Sequence, residues 1–279
     1  MTRTPSSQYI ITGSGTQFTA TLGTAPNDTV IGTPNTAILT VMSSMAASAG
    51  GAASSILFGS GTALNIGTST INFSSPWWGT VSILGSITGT GASVIEVGTG
   101  VNLTSTANVT NANTNMVANS NHAFRNNGNL TINAGLVAST ASMAATIWLA
   151  APAGSLNING GTIESSNAAG SSFAIVNNSS GTITIINGTI SANGPSGQAI
   201  WNASLGTVNV QGGTVQALGP SGPNRIAIFS NSAGTINITG GTVQGTDNAI
   251  GVAPGSGYTV NITPLSLNGT NVTPAFTWP

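Results

Sequence analysis

Between Gly154 and Gly245 apolar and polar residues alternate with a period of two, in short bursts separated by glycine. In GTVNVQGGTVQA, which starts at Gly206, Val208 and Val210 fall on one face of an extended chain and Thr207 and Asn209 on the other. A glycine pair or Asn-Gly then turns the chain, and Thr214 to Gln216 opens a second strand. The phrase recurs as GSLNINGGTIES from Gly154, GTITIINGTISA from Gly181 and GTINITGGTVQG from Gly234, with starts 27, 25 and 28 residues apart. A third apolar burst precedes each new copy: ATIWLA at Ala145, SFAIVNN at Ser172, QAIWNAS at Gln198 and IAIFSNS at Ile226. An earlier version, HAFRNNG, starts at His122.

Three strands and three turns in one such period make one rung of a coil, a repeat architecture. Stacking each rung on the last explains why one column is always aliphatic: Leu156, Ile183, Val208 and Ile236. A flat antiparallel sandwich also shows short strands at regular spacing, but its strands meet different neighbours and need no constant order of strand types. The pattern therefore predicts an all-β protein, a single-stranded right-handed parallel β-helix of about 8–10 rungs with three short strands each.

Degenerate copies extend the array: GTALNIGTSTINF at Gly61, GTVSILGSITG at Gly79, GVNLTSTANVT at Gly100, GNLTINAGLVAS at Gly128 and GYTVNITPLSLNG at Gly257. Residues 61–267 are accordingly read as the repeat domain and residues 1–60 as an atypical N-terminal cap. In that cap Gln8 to Thr12 and Thr16 to Leu22 read as strands and Met42 to Ala53 as a short helix. Residues 268–279 are a C-terminal extension, truncated from a longer chain on this reading. The first 30 residues show no signal peptide. Ala37 to Phe58 is uncharged, but its Ser and Gly make it a poor membrane span, so no membrane insertion is expected.

The GTVNVQGGTVQA type of phrase resembles the repeats of right-handed parallel β-helix proteins of bacterial cell surfaces. These include adhesins, autotransporter passengers and Gly/Thr-rich repeat proteins of Gram-positive organisms. The similarity covers about Gly61 to Leu267. It implies an extracellular or cell-surface rod, but the same fold also hosts pectate lyases, glycosidases and phage depolymerases. Function has to be argued from sites.

Composition narrows the chemistry. Of 279 residues 3% are charged and 39% hydrophobic, with 3 Lys plus Arg, 4 Asp plus Glu, 1 His and no Cys. Three arginines do not neutralise a phosphate backbone, so nucleic acid is excluded as a partner. No Cys means no disulfide or thiolate metal site, and the absence of an acidic cluster argues against a carboxylate-built calcium site. No cofactor is implied. Glycoside hydrolysis usually needs two carboxylates about 5 to 9.5 Å apart. Glu164 and Asp247 lie three rungs apart, roughly 14 Å at the spacing between paired strands, and Glu96 sits on another rung again. All four carboxylates, Asp28 included, read as isolated surface groups, and His122 reads as a surface or capping residue. The chain is expected to be non-catalytic.

Two columns remain as candidates for binding. Asn157, Thr184, Asn209 and Asn237 share an outward position, suited to hydrogen-bonding one another or to presenting donors to a glycan. In the third burst, Arg125, Trp148, Val176, Trp201 and Phe229 alternate with Phe124, Ile147, Ile175, Ile200 and Ile228, and only one set can fill the core. Either the mixed set is an outward apolar stripe, or its aromatics are core and Arg125 is a local exception. Trp77 and Trp78 join this candidate surface, since adjacent strand residues cannot both face one core. The expected role is a rod segment of an adhesin or self-assembling surface fibre, with itself, surface glycans or other cells as partners. The alternative is a glycan-binding or glycan-processing β-helix.

Overall fold

The computed structural model describes residues 8–14, 17–22, 28–31, 54–60, 62–73, 78–114, 120–141, 143–150, 154–167, 170–220, 222–263 and 272–273. Every regular element among them is a strand, and the repeats wind into a right-handed parallel β-solenoid with three strands per turn. One residue run shows the plan. Thr207–Val210 belongs to the first sheet, Thr214–Ala217 to the second and Ile226–Ser230 to the third. The third sheet alone has eight strands.

Each strand pairs in parallel with its counterpart one coil away, so equivalent residues stack. Leu156 lies on Ile183, Ile183 on Val208 and Val208 on Ile236 in the first sheet. Ile163, Ile190, Val215 and Val243 do the same in the second, and Ile147, Ile175, Ile200 and Ile228 in the third. These three aliphatic stacks meet in the centre and are fully buried but for a 1% trace at Val243.

The turn between the first and second sheets needs glycine for two reasons. Gly161, Gly188, Gly213 and Gly241 all have positive φ, between 71° and 95°, a conformation costly for any residue with a Cβ. A Cβ on Gly188 would also stand 2.7 Å from the Gly161 carbonyl oxygen of the coil below.

The turn from the third sheet to the next coil is held by buried asparagines that sequence reasoning missed. Asn177 donates to the Gly181 carbonyl at 3.1 Å and to Asn202 Oδ1 at 3.0 Å, and Asn202 donates to the Gly206 carbonyl at 2.8 Å. Both are fully buried, so these bonds satisfy amides that would otherwise be costly to desolvate. The signal was present as an Asn four residues ahead of the GT at Gly181 and at Gly206, but it hid in a chain full of asparagine.

The coils begin earlier than the sequence phrase indicates. Ala63–Asn65 joins the second sheet and Ile71–Phe73 the third, so GTALNIGTSTINF is one strand out of phase with the later copies. The first-sheet strand of that coil is Ser54–Phe58. First and second strands both read as glycine, threonine and an alternating pair, so periodicity alone does not fix the phase; pairing partners do. At the other end, Val272–Thr273 pairs with the strand Thr242–Gly245, so the second sheet continues past residue 267.

Upstream, Gln8–Ser14 pairs in parallel with Ser54–Phe58, occupying the free edge of the first coil. It also pairs antiparallel with Gln17–Leu22, which pairs antiparallel with Asp28–Ile31. Covering an end strand with a meander satisfies backbone groups that would otherwise template further pairing. Inside this end, Phe58, Phe73 and Trp78 pack edge to face, with centroids 6.1 and 6.2 Å apart. The expected helix over Met42 to Ala53 lies outside the described residues, as does most of Ala37 to Phe58, whose last five residues are a strand.

Two substitutions test this construction by chemical unfolding. Ile200→Ala should cost about 2–5 kcal/mol, against about 0.5–1.5 for Ile200→Val, because the Ile175 and Ile228 stacks cannot collapse into the gap. Asn202→Ala should cost about 1–3 kcal/mol by leaving the Asn177 and Gly206 groups without their partner.

Candidate binding surface

The third sheet departs from simple alternation. Ala123 and Phe124, Ala174 and Ile175, Ala199 and Ile200, and Ala227 and Ile228 are successive residues, and both members of each pair are fully buried. The small first residue lets two neighbours be enclosed at one corner of the coil. The consequence is that residues three apart, such as Phe173 and Val176, share the outer side.

This settles the open orientation. Glu96, Arg125, Trp148, Val176, Trp201, Phe229 and Gly251 stack in register as one outward column. Phe124, Ile147, Ile175, Ile200 and Ile228 fill the core. Trp148, Trp201 and Phe229 are half-buried, while Val176 between the two tryptophans is 2% exposed. Each indole rests on a ring of the preceding coil: Trp148 on His122 with centroids 5.5 Å apart, and Trp201 on Phe173 at 5.4 Å. Trp201 Nε1 donates to Asn231 Oδ1 at 3.2 Å, which fixes the turn of its ring.

The N-terminal end of the column is polar. Asn72 donates to Glu96 Oε2 at 3.2 Å, and Arg125 Nη1 lies 3.6 Å from Glu96 Oε1. Arg125 thus marks the border of the aromatic run and is not an exception within it. The expectation for the tryptophan pair changes as well. Trp78 is buried at 2% and belongs to the aromatic end core, so it drops out of the candidate surface. Trp77 lies outside the described residues.

Two of the four carboxylates, Glu96 and Asp247, are not the isolated groups that the sequence led one to expect. Besides Glu96 with Arg125, Asp247 is clasped by Arg225 from Nη2 at 2.7 Å and Nε at 3.2 Å, with the Arg225 backbone N–H adding a bond at 2.8 Å. The partners are 22 residues apart and meet only because the coil brings them to one corner. Glu164 is half-buried on the second sheet, in register with Ala138 and Ser191. It stands three ladder steps from the strand that leads to Asp247. Among the described residues, no three His, Cys, Asp or Glu side chains come together.

His122 is buried at 2%, contrary to the expected surface position. Its Nδ1 lies 2.7 Å from the Ala145 carbonyl oxygen, which accepts a hydrogen bond from the ring N–H and so fixes the tautomer. With Trp148 over its face, the imidazole acts as part of the platform beneath the indole.

On the first sheet the amide column bonds to itself. Asn261 donates to Asn237 and Asn237 to Asn209, both at 2.8 Å, and in the adjacent column Asn129 donates to Asn102 at 2.7 Å. Such ladders strengthen the rod and leave fewer amides for a ligand.

Comparison with known protein families, curated proteins and solved structures gives no match for the chain.

The Arg225 clasp predicts an acid dependence. Its side-chain bonds first, and its backbone N–H second, hold the Asp247 carboxyl below the usual carboxylate range. A depressed carboxyl contributes stability that is complete above its unfolded value, about 3.9, and lost as pH falls through the folded one. The gap in melting temperature between the protein and Asp247→Asn should be steady near neutral pH and close below about pH 4. A gap unchanged at acid pH would rule out the pair as its source.

Proposed function

We propose that this protein is a non-catalytic β-solenoid rod of the cell exterior, in which the third sheet carries an adhesive face. The observation that carries this reading is the outward run Trp148, Val176, Trp201 and Phe229 on a rod with almost no charge. Large aromatics that keep one face toward water are favoured binding elements, because they offer broad apolar contact with few rotamers to freeze.

The disposition of acids supports a binder over a processing enzyme. Glu96 and Asp247 are each paired with arginine, and Glu164 stands three ladder steps from the strand that leads to Asp247, farther than the carboxylate spacing glycoside cleavage uses. The resemblance of the repeats to cell-surface β-helices supports an external location. Three arginines and no lysine would give trypsin few sites, a useful property for a surface rod.

Two measurements test the proposal. Antibody against the protein should label intact source cells, and labelling only after lysis would overturn the location. Incubation with a panel of neutral and acidic polysaccharides should release no new reducing ends or unsaturated products. Turnover that disappears in Glu164→Gln or Asp247→Asn would replace the rod reading with an enzyme.

A further inference from the structure

The aromatic column also limits what the adhesive face can hold, given the rod reading above. Trp148 and Trp201 occupy the same column, separated by the one coil that carries Val176. Two coils put the indoles about 9.6 Å apart along the rod, at about 4.8 Å per coil. Phe229 continues the line one coil further. The four strands Ala145–Leu149, Ser171–Asn177, Ser196–Asn202 and Ile226–Ser230 contain no charged residue. Beside the rings, the half-buried side-chain amide of Gln198 has no hydrogen bond within the protein among the described residues, and it lies in register with Phe173 and Ile226.

These features define an occupant that is straight, uncharged and narrow, with flat apolar faces recurring at about twice the coil spacing and hydroxyls at its edges. A second copy of the chain fits poorly. Four side chains that are already half-buried or more expose well under the roughly 800 Å² per partner that a stable protein interface takes. An extended β-1,4-linked neutral glycan fits well, because alternate pyranose rings present the same face at a repeat close to the two-coil distance. We infer that Trp148 and Trp201 stack alternate sugar rings of such a chain running along the rod axis, with Phe229 extending the platform and Gln198 meeting its hydroxyls. A helical α-linked glucan would lift off after one ring, and an acidic chain would lose hydration without gaining a countercharge.

The test is retention of the purified full chain on insoluble cellulose, chitin and β-mannan, compared with amylose and polygalacturonate. The expected result is retention on one or more of the β-1,4-linked neutral solids and none on the other two. Trp148→Ala with Trp201→Ala should weaken it at least about tenfold, and Trp201→Phe should recover part of the loss. A spacing variant, Val176→Trp with Trp201→Val, keeps the composition of the column but puts the indoles one coil apart; it should bind as poorly as the double alanine. Circular dichroism and unfolding midpoints identify any variant that fails to fold, and a correctly folded Trp201→Phe then carries the comparison. No retention on any neutral solid, equal retention of the spacing variant, or a dimer dispersed by the double alanine would each overturn the glycan assignment. None of these outcomes bears on cell-surface labelling or on polysaccharide turnover, so failure of the ligand assignment is distinguishable from failure of the rod reading.

Discussion

Everything in this molecule depends on in-register parallel pairing between a residue and its equivalent one coil away. Because a parallel ladder repeats at about 4.8 Å, each inward position must be filled by a side chain that tolerates a copy of itself directly above. Ile, Val and Leu do so, and burial of each contributes about 1.5–3 kcal/mol. Outward positions face the same demand, which Asn meets by amide ladders such as Asn209, Asn237 and Asn261. Glycine at the first bend, as at Gly161, Gly188, Gly213 and Gly241, and asparagine at the last bend of two coils, Asn177 and Asn202, then help set the length of a coil.

The same constraint explains how a binding face arises without a pocket. A column is a line of side chains at fixed spacing, so recognition is written as which coils carry an aromatic and which do not. Here the corner alanines, Ala174, Ala199 and Ala227, enclose two successive residues and turn Val176, Trp201 and Phe229 outward together. Rings of the neighbouring column then support the indoles from beneath, as Phe173 does for Trp201. The surface is preorganised by the packing that makes the rod.

Charge is rare, and two ion pairs mark borders. Glu96 with Arg125 closes the N-terminal end of the aromatic run. Arg225 with Asp247 ties two coils together at the start of the Phe229 strand, with the guanidinium also reaching the Gly219 carbonyl at 3.3 Å. Such half-exposed pairs contribute modestly to stability. Their larger effect is geometric, since each fixes the position of a strand that carries part of the outward column.

The amino-acid sequence by itself determined the solenoid, the three strands per coil and the stacked core column of the first sheet, because these follow from a period of two nested in a recurring phrase. The stacking of Leu156, Ile183, Val208 and Ile236 was legible for that reason. It also located the residues of the aromatic column, but left their facing open: alternation names two sets without saying which is inside. Only the tertiary structure decided this, through the enclosure of two successive residues at the coil corner, a departure from alternation that local pattern does not encode. It likewise decided the burial of His122 and Trp78, the phase of the first coil, and the pairing of Asp247 with Arg225. Each depends on a neighbour about one coil away in sequence, brought close by the winding of the chain.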